Sequence, residues 1–274
     1  MPEIAGKGQH GEVRQMAIGA DMRDVSGVRT EIHSGGEGRP LLFLHGGHGL
    51  TGHEAFLAGL ATSFRVMAPA HPGFGDTEWP TELRAIGDLA YFHLDLTEQF
   101  ELEDAVLVGE GFGGWLAMEV LVRSTARFDR AVLVDALGVK FGDTLSRDIT
   151  DLHGLGQAEV RSCLYHRAER GEIDAADMTD DALARIARAR EAFAYFGWKP
   201  YMHNPSLLRW LHRIDVPTLV VWGASDGFVT PDYGRKLAEA IPGARFETIA
   251  EAGHYPSVEQ PAALSELIRD FADA

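Results

Sequence analysis

The sequence predicts an α/β fold with a mostly parallel β-sheet flanked by helices and an inserted helical cap. Short apolar runs rich in β-branched residues have the length of buried strands, and they alternate with helical patterns, which favours parallel pairing. The first two or three runs can instead pair as an antiparallel meander. The runs are Met16–Met22, Gly27–His33, Pro40–His45, Arg65–Ala68, Ala105–Val108, Ala131–Val134, Thr218–Trp222 and Arg245–Ile249.

Helical patterns with a single apolar stripe lie between these runs. In the last pattern, Leu264, Leu267, Ile268 and Phe271 fall on one face of a helix. The predicted helices are His53–Thr62, Ile86–Phe100, Gly113–Ser124, Tyr233–Ala240 and Pro261–Phe271.

The segment 138–213 interrupts the alternation, because it holds several helical patterns and no convincing strand. Within it, Asp180–Phe196 has apolar residues at helical spacing behind an Asp/Thr cluster that can cap the helix start. Aromatic residues crowd the end of this pattern. We therefore expect a helical cap at 138–213 on an α/β core formed by 1–137 and 214–274, and one more core layer is the alternative.

Composition and charge exclude several classes of protein. Among 274 residues, 25 Lys and Arg face 41 Asp and Glu, which gives a net charge of −16 and argues against binding nucleic acid. The one cysteine, Cys163, permits neither an intramolecular disulfide nor a thiolate metal cluster. Residues 1–15 carry no apolar run, so we expect neither a secretory signal nor a membrane span, and a cytoplasmic protein.

Metal, cofactor and partner predictions follow from the same composition. His48, His53, His71 and Asp76 match no metal-ligand spacing, so we expect no metal and no cofactor. The expected partner is a small-molecule substrate, with neither nucleic acid nor membrane, and a homo-oligomer is compatible with the sequence.

The window 105–115 is the most informative for function. It reads as a buried strand, a tight glycine turn and a helix, which is the setting of a nucleophile elbow. Small residues flank such an elbow because the turning residue is strained and lies close to its neighbours. Here the turning residue is Gly111, which has no side chain to attack with.

From about Ala20 to Ala272 the chain resembles the α/β-hydrolase family, in several segments that come in the family's order. Leu42–Gly49 resembles the loop after the third strand, which donates an oxyanion-hole N–H, and Ala68–Thr77 resembles the Pro-Gly-x-Gly turn. Val221–Asp226 resembles the acid-bearing turn, and Ala252–Pro256 resembles the histidine loop.

The resemblance implies roles for particular residues. His254 would be the base, Asp226 would orient it, and Gly111 would occupy the nucleophile position, where the family carries Ser, Asp or Cys. Asp135, after the sixth strand, is the rival acid. The backbone N–H groups of Phe112 and Gly47 would form the oxyanion hole.

Residues around this site are candidates for contacting substrate. Glu110 is either an acid or base close to the pocket or a buried carboxylate paired behind the elbow. Aromatic residues of the expected cap favour an apolar or aromatic substrate. The candidate substrate-binding residues are Gly46, His48, Glu110, Trp115, Trp198 and Tyr201.

These residues lead to three functional hypotheses. The first is a hydrolase-type enzyme that cleaves an ester or a carbon–carbon bond in a small apolar or aromatic carbonyl compound. If Gly111 is an engineered replacement of serine, this chain is an inactive trap, and if it is natural, His254 must act on water or directly on substrate. The second is a cofactor-free oxygenase or lyase that uses the His254–Asp226 pair. The third is a non-catalytic receptor or scaffold, as in family members resembling the NDR proteins, and retention of Asp226 and His254 argues against it.

Overall fold

One mixed β-sheet runs through the computed structural model, which describes residues 18–143, 145–172 and 175–274. Its eight strands follow the order β1-β2-β4-β3-β5-β6-β7-β8. β1 and β2 form an antiparallel hairpin and β2 is antiparallel to β4, whereas the other neighbouring strands are parallel. The strands are β1 (Gly19–Val25), β2 (Val28–Gly35), β3 (Arg39–Leu44), β4 (Phe64–Pro69), β5 (Ala105–Glu110), β6 (Phe128–Val134), β7 (Thr218–Gly223) and β8 (Arg245–Ile249).

The predicted α/β class is confirmed, and each apolar run predicted as a strand overlaps one in the sheet. The first run differs most, because its strand begins at Gly19 and residues 1–17 lie outside the described part of the chain. Among the first three predicted strands, only β1 and β2 pair with each other in the antiparallel direction, because β3 pairs in parallel with β4 and β5.

Helices cover both faces of the sheet. Because successive residues of the central strands point to opposite faces, Leu41 and Phe43 join one hydrophobic core with α1 and α9, while Leu42 and Leu44 join the other with α2, α3 and α7. The helices are α1 (Glu54–Leu60), α2 (Ile86–Gln99), α3 (Phe112–Leu121), α4 (Gln157–Leu164), α5 (Asp180–Gly197), α6 (Leu207–Trp210), α7 (Pro231–Ala240), α8 (Pro256–Glu259) and α9 (Pro261–Asp273).

Glycines allow α3 to begin directly after β5, at the carboxyl end of the sheet. A Cβ atom on Gly109 would lie 2.3 Å from the carbonyl oxygen of Gly113, and a Cβ on Gly113 would lie 1.9 Å from that of Leu44. Backbone atoms cannot give way as a flexible side chain can, so both positions require glycine. This close packing fixes the turn at Gly111 against the end of β3.

The segment between β6 and β7 contains α4, α5, α6 and short 3-10 turns. Within its described residues there is no strand, and Gly138 forms an isolated bridge with His203. α5 begins where the sequence predicts, and the Thr179 hydroxyl accepts a hydrogen bond from the Ala182 N–H at its start. The division into a core and a cap at 138–213 stays a prediction. Among the described helices, none has the length and apolar character needed to cross a membrane.

Candidate active site

The turn between β5 and α3 places Gly111 in an unusual backbone conformation. Its φ is 55° and its ψ is −112°, a region that costs a residue with a side chain about 1–3 kcal/mol. The N–H of Gly111 donates a hydrogen bond to the carbonyl oxygen of Val134 at 2.8 Å, which holds the turn against β6. The chain therefore keeps the strained shape of a nucleophile elbow with a residue that adopts it freely.

His254 points directly at this turn. Its Nδ1–H donates to Oδ2 of Asp226 at 2.8 Å, which leaves the lone pair of Nε2 on the side of Gly111. A Cβ atom added to Gly111 would lie 2.9 Å from Nε2. Oδ1 of Asp226 accepts hydrogen bonds from the N–H groups of Phe228 and Val229, at 2.8 and 3.0 Å. The imidazole is thus held in one tautomer and aimed at the space above the elbow.

A second aspartate, Asp135, lies beside this pair. Its Oδ1 accepts a hydrogen bond from the Gly223 N–H at 2.9 Å, and burial together with the neighbouring Asp226 carboxylate raises the pKa of Asp135 well above its usual range. Ligand-type atoms of Asp135, Asp226 and His254 lie within 4.8 Å of one another, so these three residues could hold a metal ion. The direct hydrogen bond from Nδ1 of His254 to Oδ2 of Asp226 joins two of these three residues and favours a dyad.

Replacing Asp135 by asparagine is expected to have little effect on catalysis, because a protonated carboxyl and an amide have similar shape and no charge. Turnover should change by less than about threefold, or about 0.7 kcal/mol in the barrier. Since the raised pKa of Asp135 in the folded state lowers stability above the unfolded pKa, the melting temperature at pH 7 should not fall. Steady-state kinetics and thermal melting check both points, and a loss as large as that of Asp226→Asn would make Asp135 the working acid.

Two residues beside the elbow carry the backbone N–H groups that the sequence predicts for an oxyanion hole. Phe112 is the first residue of α3, and Gly47 lies just beyond the end of β3. In the described part of the chain, neither N–H donates a hydrogen bond to a protein group. The positive end of α3 adds to the potential at this point. The arrangement can accept an oxygen that becomes negatively charged.

Gly46 and His48 flank this donor pair. A Cβ atom on Gly46 would lie 3.3 Å from the ring of Tyr255, so a side chain there would require the ring to shift by a few tenths of an ångström. The His48 ring packs edge-on against Tyr255, with 4.2 Å between centroids, and stacks on His53. Burial lowers the pKa of His48 to about 3, so the ring is neutral.

Glu110 lies behind the elbow and is fully buried. Its Oε2 pairs with Nε2 of His53 at 2.9 Å and accepts a hydrogen bond from the Ser257 hydroxyl at 2.8 Å, while Oε1 accepts from the Ser257 N–H. Burial by itself raises the pKa of Glu110. The hydrogen bonds from His53 and Ser257 and the electrostatic interaction with His53 lower the pKa by more, so the net shift is downward. These contacts favour the interpretation of Glu110 as a paired structural carboxylate.

Three of the candidate substrate-binding residues make contacts away from this dyad. Trp115 is buried, donates from Nε1 to Oε1 of Glu119 and packs against Gly138. Trp198 is 57% exposed, and the Tyr201 hydroxyl donates to the Thr150 carbonyl. Trp115 also packs edge-on against Phe112 beside the elbow, with 6.0 Å between ring centroids, and a role of these three residues in substrate binding stays a prediction.

Phe193, which the site prediction omits, lies at the site instead. Its ring packs on Gly47 and edge-on against Phe112. The signal was present in the sequence, because Phe193 falls on the same predicted helical stripe as Leu183 and Ile186. Sequence spacing places it on the buried side of α5, but only the packing of α5 shows what lies beneath it.

Replacing Gly111 by serine is expected to cost a modest amount of stability. The left-handed φ and the 2.9 Å approach to His254 oppose the new Cβ, while the loss of glycine's freedom in the unfolded chain partly offsets them. We expect a loss of about 1–2 kcal/mol, which lowers the melting temperature by roughly 2–8 °C. Differential scanning calorimetry measures this, and a fall well above 10 °C would contradict the elbow geometry.

Comparison with known proteins shows the family of the chain. The model of the alpha/beta hydrolase family matches residues 41–267. The 2-hydroxymuconate semialdehyde hydrolase of Pseudomonas sp. strain CF600 is 30% identical, over 90% of this chain and 91% of that protein. The 2-hydroxy-6-oxo-2,4-heptadienoate hydrolase of Pseudomonas putida is 26% identical, over 91% of this chain and 95% of that protein.

Solved structures share the fold at lower identity. A meta-cleavage product hydrolase from Pseudomonas fluorescens superposes with a TM-score of 0.75 at 23% identity, covering 93% of this chain and 98% of that one. A serine hydrolase involved in carbazole degradation has a TM-score of 0.75 at 22% identity, covering 94% of this chain and 99% of that one. The match to the family model and the 30% identical relative show that the chain belongs to the α/β-hydrolase family and is a hydrolase-like enzyme.

Proposed function

We propose that the chain hydrolyses a small apolar or aromatic carbonyl compound, with His254 activating a water molecule in the space that a serine side chain would fill. One observation carries the proposal. Nε2 of His254 faces Gly111 and lies 2.9 Å from the position of a Cβ there, beside the N–H groups of Phe112 and Gly47, which have no protein acceptor in the described part of the chain. A base, a place for water and an oxyanion site thus adjoin one another.

The chemistry follows from this arrangement. Nε2 of His254 removes a proton from water, and the resulting hydroxide attacks the carbonyl carbon of the substrate. The oxygen that becomes negative accepts hydrogen bonds from the N–H groups of Phe112 and Gly47. Asp226 stabilises the imidazolium that forms. When the tetrahedral intermediate collapses, His254 returns the proton to the leaving carbon or oxygen, giving a carboxylic acid and the protonated leaving group.

Within this class, we favour cleavage of a carbon–carbon bond beside a carbonyl. The relatives are named for 2-hydroxymuconate semialdehyde and 2-hydroxy-6-oxo-2,4-heptadienoate, which are both unsaturated carbonyl compounds. The rings of Phe112, Phe193 and Phe228 surround the site, and aromatic rings pack well on flat conjugated molecules. Ester hydrolysis would use the same base and the same donors.

A substrate panel tests the proposal on the unmodified chain. The panel holds 2-hydroxy-6-oxo-hepta-2,4-dienoate, 2-hydroxymuconate semialdehyde, p-nitrophenyl acetate and p-nitrophenyl benzoate, with absorbance followed for each and oxygen uptake recorded in parallel. Turnover of the dienoates without oxygen uptake supports carbon–carbon hydrolysis. Oxygen uptake would point to the oxygenase alternative, and ligand-induced thermal stabilisation without turnover would point to a receptor.

A further inference from the structure

The α5 helix lays one aromatic ring over the candidate oxyanion hole. A Cβ atom on Gly47 would lie 2.8 Å from two ring atoms of Phe193, so the ring rests directly on the Gly47 backbone. The same ring meets Phe112 edge-on, with 5.5 Å between centroids. Phe193 therefore touches both residues whose N–H groups would bind the oxyanion. We propose that Phe193 is the specificity-determining residue of this site, an inference that rests on the proposed function.

The height of α5 above the site is set by a close approach at Gly73. A Cβ atom on Gly73 would lie 3.1 Å from Cβ of Ala192 and 3.0 Å from the Trp79 ring, and the φ of Gly73 is 90°. Both facts require glycine, so the turn after β4 lets the helix approach closely at the residue next to Phe193. A ring held this close to the core cannot lift away without moving the helix or changing its own rotamer.

Two arginines fasten α5 to the same region. Arg188 donates to the carbonyl oxygens of Gly73 and Thr77, and Arg185 pairs with the carboxylates of Glu31 and Asp76. On the same helix, Arg188 lies five residues and Arg185 eight residues before Phe193, which is about one and a half and just over two turns. Because a guanidinium holds two acceptors in a fixed plane, these contacts limit rotation as well as translation of the helix.

The position of the ring decides which substrates reach the donors. A flat acyl group can enter between the Phe193 ring and the elbow when the ring turns slightly, whereas a group with bulk outside the plane of the carbonyl collides with it. The site is thus selective for flat acyl groups, such as a conjugated or aromatic one. Removing the ring should admit bulkier groups and leave small ones little affected.

The test uses covalent labelling, which does not depend on the natural substrate. In the Gly111→Ser background, we compare labelling rates with diethyl fluorophosphate as the small reagent and diphenyl fluorophosphate as the large one. Phe193→Ala should raise the large-to-small rate ratio about tenfold, the size expected for losing one well-packed aromatic contact. Tyr195→Ala is the matched control, because that ring lies on the same helix, is 50% exposed and packs on Trp79.

The outcomes separate this inference from the proposed function. Labelling with an unchanged ratio in Phe193→Ala would overturn the role of Phe193 and leave the active site standing. If neither reagent labels any serine version, with or without Phe193, the oxyanion hole beneath the ring and the role of Phe193 are overturned, whereas water activation by His254 is decided separately by the substrate panel on the unmodified chain. Should Phe193→Ala fail to fold, Phe193→Leu keeps most of the apolar volume, and its ratio should lie between those of the other two versions.

Discussion

Replacing His254 by alanine is expected to lower turnover by about 10²–10⁴-fold, the range of a positioned general base. The fall should appear in kcat, because His254 acts on water and the substrate is held by other groups. Nothing else in the described site replaces it: Glu110 is engaged with His53 and Ser257, and burial keeps His48 neutral with a pKa of about 3. Steady-state kinetics with the first panel compound that is turned over measures the effect.

Matched variants identify the cause of this loss. His212→Ala removes an exposed histidine and should leave turnover unchanged. Asp226→Asn keeps the shape of the side chain but removes the charge that holds His254 in its tautomer, so it should also lower kcat by about 10²-fold or more. Retention of activity in His254→Ala would show that the base lies elsewhere.

Acid is expected to unfold the protein well above the pH at which carboxylates are protonated, because several buried histidines are neutral. Nδ1 of the His71 ring accepts a hydrogen bond from Nε2 of His93 at 2.9 Å. Nε2 of the His45 ring accepts a hydrogen bond from the backbone N–H of His71 at 3.0 Å. These lone pairs of His71 and His45 already have a donor, and among the described residues Nδ1 of His93 and both ring nitrogens of His48 have no hydrogen-bond partner that could stabilise an added proton. Burial lowers the pKa of His45 and His71 well below the usual range, and that of His48 and His93 to about 3.

The sign of the effect follows from linkage. A histidine whose folded pKa lies below its unfolded value of about 6.5 takes up protons on unfolding, so stability is lost as the pH falls below about 6.5. At about pH 4.5, a histidine with a folded pKa near 3 costs about 2.7 kcal/mol, and His48 and His93 together cost about 5 kcal/mol. This approaches the total stability of about 5–15 kcal/mol of an ordinary domain. Asp135, with its raised pKa, opposes the trend, but it is a single group.

An acid titration followed by circular dichroism tests this prediction. The unfolding midpoint should lie between about pH 4 and pH 6. His93→Gln keeps an N–H donor for His71 and cannot titrate, so its midpoint should move to lower pH, whereas the exposed His212→Gln should not shift it. A protein that stays folded below about pH 4, or a midpoint unmoved in His93→Gln, would be inconsistent with neutral buried histidines.

The sequence predicts the fold and the dyad because both depend on local signals. Buried strands need apolar runs, and the tight turn at Gly111 needs small residues on both sides, so the elbow is visible without a serine. Asp226 and His254 each follow a strand in a recognisable loop. The carboxyl ends of parallel strands meet at one edge of a sheet, and this brings the two residues together.

The remaining parts of the site depend on packing between distant segments. Glu110 could be an acid or a structural carboxylate until His53 and Ser257 are seen beside it, 57 and 147 residues away. Aromatic residues near the end of α5 are alike in the sequence, yet Phe193 covers Gly47 while Trp198 is exposed. The direction of a side chain follows from how the helix is seated, and sequence spacing does not give this.

The chain of His45, His71 and His93 shows the same limit. Of these residues, only His71 enters the metal prediction from the sequence, where its spacing matches no metal-ligand pattern, and nothing in the sequence links it to His45 or His93. The sheet brings them together. The ring of His45, which directly precedes Gly46 and Gly47 in the sequence, stacks on the ring of His71 with 3.8 Å between centroids. Their neutral state then follows from burial.

Intact-mass spectrometry of rapidly quenched reactions tests the central claim, that His254 activates water in place of a serine. Product should accumulate over several turnovers while the chain keeps its unmodified mass, and the Gly111→Ser version should show an added acyl group under the same conditions. A covalent adduct on the Gly111 chain would reveal a different nucleophile. Product formed by the serine version alone would show that the chain lacks serine-independent hydrolysis, and either result would contradict the account.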